Sequence, residues 1–142
     1  MNAASPDRFE VGTELPECLF PPLERATLAL FAEASGDRNP IHIDGEFARN
    51  AGMPDVIAHG MLGMAWLARL VTGWVPQSKL REFDGRFQGV THLGHATRCK
   101  GRVAERLVRN GERCVRIELQ CVNQFGETKI VGIAVVALPW FD

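Results

Sequence analysis

Between Ser35 and Asp44 the chain reads Ser-Gly-Asp-Arg-Asn-Pro-Ile-His-Ile-Asp, which brings a carboxylate, an amide and an imidazole into one short segment. Gly36 permits a sharp turn, and Pro40 lacks a backbone N–H and biases Asn39 away from helical geometry, so the segment cannot run as one helix. Asp37 and His42, five positions apart, diverge on a helix but can converge around a bend. A carboxylate and an imidazole that meet at one water molecule can hold and deprotonate it, and the Asn39 amide can fix its direction. A second segment, Ile57-Ala58-His59-Gly60-Met61-Leu62-Gly63-Met64, opens an apolar helix at a His-Gly pair. Gly60 exposes an unobstructed backbone N–H at the positive end of that helix, where a developing oxyanion is stabilised. Together the two segments form a kit for activating water beside a carbonyl.

Each of these residues also has a structural reading. Asp37 after a glycine is a common turn former, and Asp44 is read as the cap of the next helix. His59 can orient the loop as readily as border a site, and Gly60 can simply permit close packing. His92-Leu93-Gly94-His95 has no acid or cysteine at matching spacing and reads as a turn rather than a metal pair. Cys18, Cys99, Cys114 and Cys121 form no C-x-x-C pair and read as reduced core residues; the odd separation of Cys114 and Cys121 puts them on opposite faces of a strand. No serine elbow, phosphate-binding loop or dinucleotide fingerprint is present.

These residues need elements to hold them. Phe9 to Phe20 reads as a short strand or extended entry, Leu23 to Ala34 as a helix, and Gly45 to Ala51 as a second, short helix. His59 to Trp74 is apolar on nearly every side, as in a helix buried all round by a sheet or a partner. Strands follow at Phe83–Val90, Ala96–Val108, Cys114–Cys121 and Lys129–Leu138, the last apolar on both faces, with a tight hairpin at Asn110-Gly111 and a turn at Asn123–Glu127. The order predicts an α+β plan in which a curved antiparallel sheet wraps a central helix.

The chain of 142 residues is read as one domain over 1–142, with 1–8 a loose leader. A net charge of −1 gives no footprint for nucleic acid or an anionic membrane, and no apolar run approaches the roughly 20 residues of a membrane span. The N-terminus carries no apolar signal core, so a cytoplasmic location is expected. Arg81, Arg86 and the cluster from Arg98 to Arg106 read as solvated arginines, with phosphate contact as the alternative. Met61, Met64, Trp66 and Trp74 read as core, with a wall of a substrate tunnel as the alternative.

The pattern Phe31-x-x-x-Ser35-Gly36-Asp37-x-Asn39-Pro40-x-His42-x-Asp44, followed by Ala48, Gly52 and Ile57-Ala58-His59-Gly60-Met61, resembles the MaoC-like hydratases and dehydratases. That resemblance implies a hot-dog fold and usually a dimer, with heteromeric pairing as a variant. It implies reversible hydration of a trans-2-enoyl thioester to an (R)-3-hydroxyacyl thioester. Asp37 and His42 are then expected to activate water, Asn39 to orient it, and Gly60, with His59 beside it, to bind the thioester oxygen. No metal or redox cofactor is implied, and the coenzyme A or acyl-carrier arm belongs to the substrate. One departure stands out. Some members hold the carboxylate with a hydroxyl from the central helix, yet Leu62 to Val71 contains no Ser or Thr and Ala68 stands where one is expected. The alternatives are a hot-dog acyl thioesterase and a structural or acyl-binding subunit of a heteromeric dehydratase.

Overall fold

The computed structural model describes residues 6–138. Five strands, β1 (Cys18–Phe20), β2 (Leu80–Phe87), β3 (Thr97–Arg109), β4 (Glu112–Asn123) and β5 (Thr128–Ala137), form one antiparallel sheet in the order β1-β3-β4-β5-β2. Helices α1 (Arg25–Ser35), α2 (Gly45–Asn50) and α3 (Gly60–Thr72) precede β2, and the concave face of the sheet wraps α3. This is the hot-dog arrangement expected above.

Alternation along the strands explains why the sheet curls around the helix. On β3 the side chains of Thr97, Cys99 and Val103 turn inward, and on β4 Val115, Ile117, Leu119 and Cys121 do the same. They meet Leu62, Met64, Trp66, Leu67, Leu70 and Val71 of α3 in one continuous core. Two glycines set how closely the layers approach. A Cβ on Gly63 would lie 2.6 Å from Cδ1 of Ile130, and one on Gly85 would lie 2.4 Å from Sδ of Met64. Helix and sheet therefore touch where neither glycine carries a side chain.

Several expectations shift. Strand β2 starts at Leu80 rather than Phe83 and ends at Phe87 rather than Val90. The charges of Arg81 and Glu82 hid its start, but β2 is an edge strand, and those side chains reach out to Glu112 and Arg109. Of the expected entry strand, Cys18–Phe20 pairs as a strand; before it, Glu14 forms a single bridge to Arg102, with Gly12 and Leu15 donating backbone hydrogen bonds to Val103 and Gly101. Part of the expected leader, residues 1–5, lies outside the described residues, whereas Pro6–Phe9 forms a 3-10 turn that seats Phe9 against Trp74 at 5.0 Å. Helix α3 is not buried all round: Met61, Ala65 and Arg69, spaced four apart, form a stripe that the chain does not cover.

The hairpin at Asn110-Gly111 has both residues at positive φ, 51° and 77°, as a two-residue turn of that sequence requires. Cys114 and Cys121 do face opposite sides, one in a small outer cluster with Val135 and one in the main core. All four cysteines are free. Cys99 and Cys121 sit opposite each other with sulfurs 3.4 Å apart, and this contact, together with burial, pushes the Cys99 thiol well above its ordinary pKa. Among the described residues no helix is long and apolar enough to cross a membrane.

Leu67 is fully buried at the centre of α3. Leu67→Ala is expected to cost about 2–5 kcal/mol of unfolding free energy, read as a lowered urea midpoint. A loss under about 1 kcal/mol would contradict the packing described.

Candidate active site

The site is built on a run of side chain-to-backbone turns. Helix α1 stops at Gly36, whose φ of +79° suits glycine and whose N–H returns to Ala32 O at 3.0 Å. Ser35 Oγ then accepts from Asp37 N, Asp37 Oδ1 from Asn39 N at 3.2 Å, and Asn39 Oδ1 from Ile41 N at 3.1 Å. Pro40–His42 forms a 3-10 turn, and Asp44 caps α2 by accepting from Glu46 N and Phe47 N. The turn reading of Asp37 and the chemical one therefore coexist. Oδ1 closes the turn, while Oδ2 lies 4.0 Å from Nε2 of His42.

The backbone orients His42. Its Nδ1 lies 2.8 Å from the carbonyl of Ile57, so Nδ1 carries a proton and donates, and in the neutral ring it is Nε2 that presents a lone pair toward Asp37. His59, only 1% exposed, donates from Nε2 to the backbone carbonyl of Asp37 at 3.0 Å. Its ring stacks on that of His42 at 3.9 Å, and Phe31 meets it edge-on from the other direction. His59 thus holds both members of the pair, Asp37 through its backbone and His42 through its ring face. The absence of a helix hydroxyl at Ala68 is answered by these contacts: the Asn39 N–H fixes the Asp37 carboxylate, and His59 fixes its carbonyl. Oδ1 of Asn39 is taken by the 3-10 turn, which leaves the Nδ2 amide as the donor group of this side chain.

Asp37, His42 and His59 each offer a donor atom within 4.8 Å of the others. The rings stack 25° from parallel and His59 spends its Nε2 on the Asp37 carbonyl, an arrangement unlike the converging in-plane lone pairs of a metal site. Two acceptors 4.0 Å apart suit a water molecule instead, which can donate one O–H to each at about 2.8 Å.

A cavity of about 240 Å³ opens beside His42; Asp37 and Asn39 are not among the residues that line it. His42, His59, Gly60, Trp66, Phe87, Lys129 and Ile130 are among the residues that line it. A Cβ on Gly60 would lie 2.9 Å from the Phe87 ring, so close packing is one reason for glycine here, and it coexists with the exposed helix start. Trp66 is both core and wall: it is buried, stacks on Phe20 at 5.2 Å, and faces the cavity. The sequence did not point to Phe87 or Lys129. Of the arginines considered for phosphate contact, Arg81 pairs with Glu112 and Arg98 with Glu17 on the surface, away from this cavity. The His92–His95 segment is a turn in which His95 Nδ1 accepts from His92 N.

Comparison with known proteins gives this geometry a family. Residues 10–124 match the model of the MaoC like domain. The chain belongs to the MaoC-like family. It is 28% identical over 114 residues to a mitochondrial 3-hydroxyacyl-[acyl-carrier-protein] dehydratase of Arabidopsis thaliana, covering 79% of this chain and 68% of that protein. It is 29% identical over 112 residues to the fatty acid synthase subunit beta of Saccharomyces cerevisiae, covering 77% of this chain. The chain spans only 3% to 5% of the fungal synthase subunits that it matches. Among solved structures it superposes on the unliganded R-hydratase PhaJ1 from Pseudomonas aeruginosa with a TM-score of 0.78 and 29% identity, covering 94% of this chain and 92% of that one.

The contacts fix opposite tautomers for the two stacked histidines. Long-range proton–nitrogen NMR at a pH where both rings are neutral is expected to find the proton of His42 on Nδ1 and that of His59 on Nε2. A His42 ring protonated on Nε2 would contradict this geometry.

Proposed function

We propose that this chain is a hydro-lyase acting on fatty acyl thioesters. It adds water across the 2,3 double bond of a trans-2-enoyl thioester to give an (R)-3-hydroxyacyl thioester, or runs the reverse dehydration. The observation that carries the reading is the 4.0 Å gap between Asp37 Oδ2 and the lone-pair nitrogen of His42, beside a cavity that also contains the first residue of α3.

The chemistry follows from the donors and acceptors. A water molecule in the gap gives its two O–H groups to Asp37 and His42, which leaves an oxygen lone pair for C3 of the enoyl group. The thioester carbonyl lies at the start of α3, where the Gly60 N–H stabilises the enolate oxygen as the C3–O bond forms. One water proton passes to the pair and one proton is delivered from it to C2, so the pair ends in its starting state. Both new bonds form on the face that carries Asp37 and His42, and the double bond is consumed without any redox change. Neither a metal nor a redox cofactor is required, and the coenzyme A or acyl-carrier arm stays outside the cavity as part of the substrate. His59 positions the pair and borders the site. The reading includes a cytoplasmic homodimer, with pairing to a related chain as the variant; light scattering on the protein expressed alone separates the two.

Crotonyl-CoA is the simplest probe, followed by loss of its conjugated thioester absorbance. Asp37→Asn and His42→Ala are each expected to lower kcat/KM at least about 100-fold. Their effects are expected to be non-additive, because the two groups act on one water molecule. Both side chains sit in the loop rather than the core, so unfolding stability is expected to stay within about 2 kcal/mol of wild type. Variants as fast as wild type would overturn the assignment, and release of a free thiol would point to a thioesterase.

A further inference from the structure

Lys129 departs from the pattern of its strand. Residues of β5 at even positions, Ile130, Ala134 and Val136, face the core, so strict alternation would send Lys129 outward. The ladder prevents this. Cys121 pairs with Ile130 and Val122 with Thr128, which leaves Lys129 as the extra residue of a β-bulge. A bulge re-aims the side chain that it carries. Lys129 and Ile130 consequently both line the cavity that contains His42 and Gly60, and Lys129 is only 8% exposed.

A lysine so enclosed needs a partner, because removing an ammonium from water is costly unless it is paired. The acid beside it serves poorly. Glu127 Oε1 lies 3.8 Å from Nζ, beyond hydrogen-bond length, on a side chain that is 57% exposed. That same oxygen already accepts from Asn123 Nδ2 at 2.7 Å. A further titratable neighbour, His95, lends nothing negative: burial holds its imidazole below the ordinary pKa, and the charge of Lys129 adds to that effect. The stem of Lys129 runs along Gly89, where a Cβ would come within 3.3 Å of Cδ, so the chain leaves room for it at that point.

We propose that Lys129 is the anion-binding residue of this cavity, its ammonium meeting a negatively charged oxygen on the acyl part of the thioester. The phosphates of a coenzyme A or carrier arm are excluded as that anion, because a whole pantetheine chain separates them from the thioester, more than a cavity of about 240 Å³ spans. Two sources of the charge remain within the acyl part: a carboxylate carried by the substrate chain, or the enolate oxygen that develops at the thioester carbonyl. The inference rests on the acyl-thioester reading of the site.

The test compares wild type with Lys129→Met and Lys129→Arg, each checked for folding by circular dichroism and thermal melting. Binding is followed by tryptophan fluorescence with two saturated, unreactive thioesters, glutaryl-CoA and butyryl-CoA. Turnover is followed with crotonyl-CoA and with glutaconyl-CoA, its carboxylated counterpart. If the anion is a substrate carboxylate, Lys129→Met weakens glutaryl-CoA about tenfold or more and leaves butyryl-CoA within about twofold, and Lys129→Arg restores most of the loss. If it is the enolate oxygen, binding of both saturated thioesters is unchanged while kcat on crotonyl-CoA falls about tenfold at constant KM. Equal binding and equal turnover in all three proteins overturn the inference. A wild type that hydrates neither enoyl thioester overturns the proposed reaction instead, and the glutaryl-to-butyryl comparison then decides the anion site by itself.

Discussion

The site depends on one buried imidazole. His59 stands at the junction between the loop after α1 and the first turn of α3, donates to the Asp37 carbonyl at 3.0 Å and stacks on His42 at 3.9 Å. Asp37 and His42 lie on a turn-rich segment that has no ladder of its own, so something rigid must fix their separation. His59 supplies this by tying that segment to the most deeply buried helix of the molecule. The tie has a cost. Nδ1 of His59 is buried without a hydrogen-bond partner among the described residues, which in general costs about 1–3 kcal/mol. The core elsewhere must offset it.

That core is the sheet around α3. Gly63 and Gly85 let Ile130 and Met64 close the gap between the layers, and the Gly63–Ile130 contact also forms part of the cavity wall. Ile130 serves both purposes, packed on the helix and facing the site. The bulge that places Lys129 next to it depends on a single unmatched residue between β4 and β5. Packing and chemistry therefore share residues, and a substitution in the wall acts on both.

Much of this was legible in the sequence. Gly36, Pro40 and Asp44 declare a bend and a cap through properties that belong to the residues themselves, namely positive φ, a missing N–H and a short acceptor side chain. The convergence of Asp37 and His42 followed from them. The strands β3, β4 and β5 showed in their apolar patterning. What was hidden depends on partners distant in the chain. Leu80–Glu82 lies before the expected strand start at Phe83, and its place in the sheet shows only once Glu112 and Arg109 lie across from it. Lys129 reads only as the first residue of a strand apolar on both faces, because patterning cannot reveal a bulge that only the pairing with Cys121 and Val122 creates. Phe87 gave no sign that its ring lies over Gly60. The role of His59 was half visible: its place before the helix was plain, but the carbonyl it binds lies 22 positions earlier.

In the proposed mechanism, water held between Asp37 and His42 adds to one face of an enoyl thioester. The most direct measurement is hydration of crotonyl-CoA in deuterated water, with the product examined by proton NMR and chiral chromatography. The expected product has an intact thioester, a single deuterium at C2 delivered to the same face as the new hydroxyl, and the (R) configuration at C3. Deuterium on the opposite face, an (S) product, or free coenzyme A in place of a hydroxyacyl thioester would contradict the mechanism.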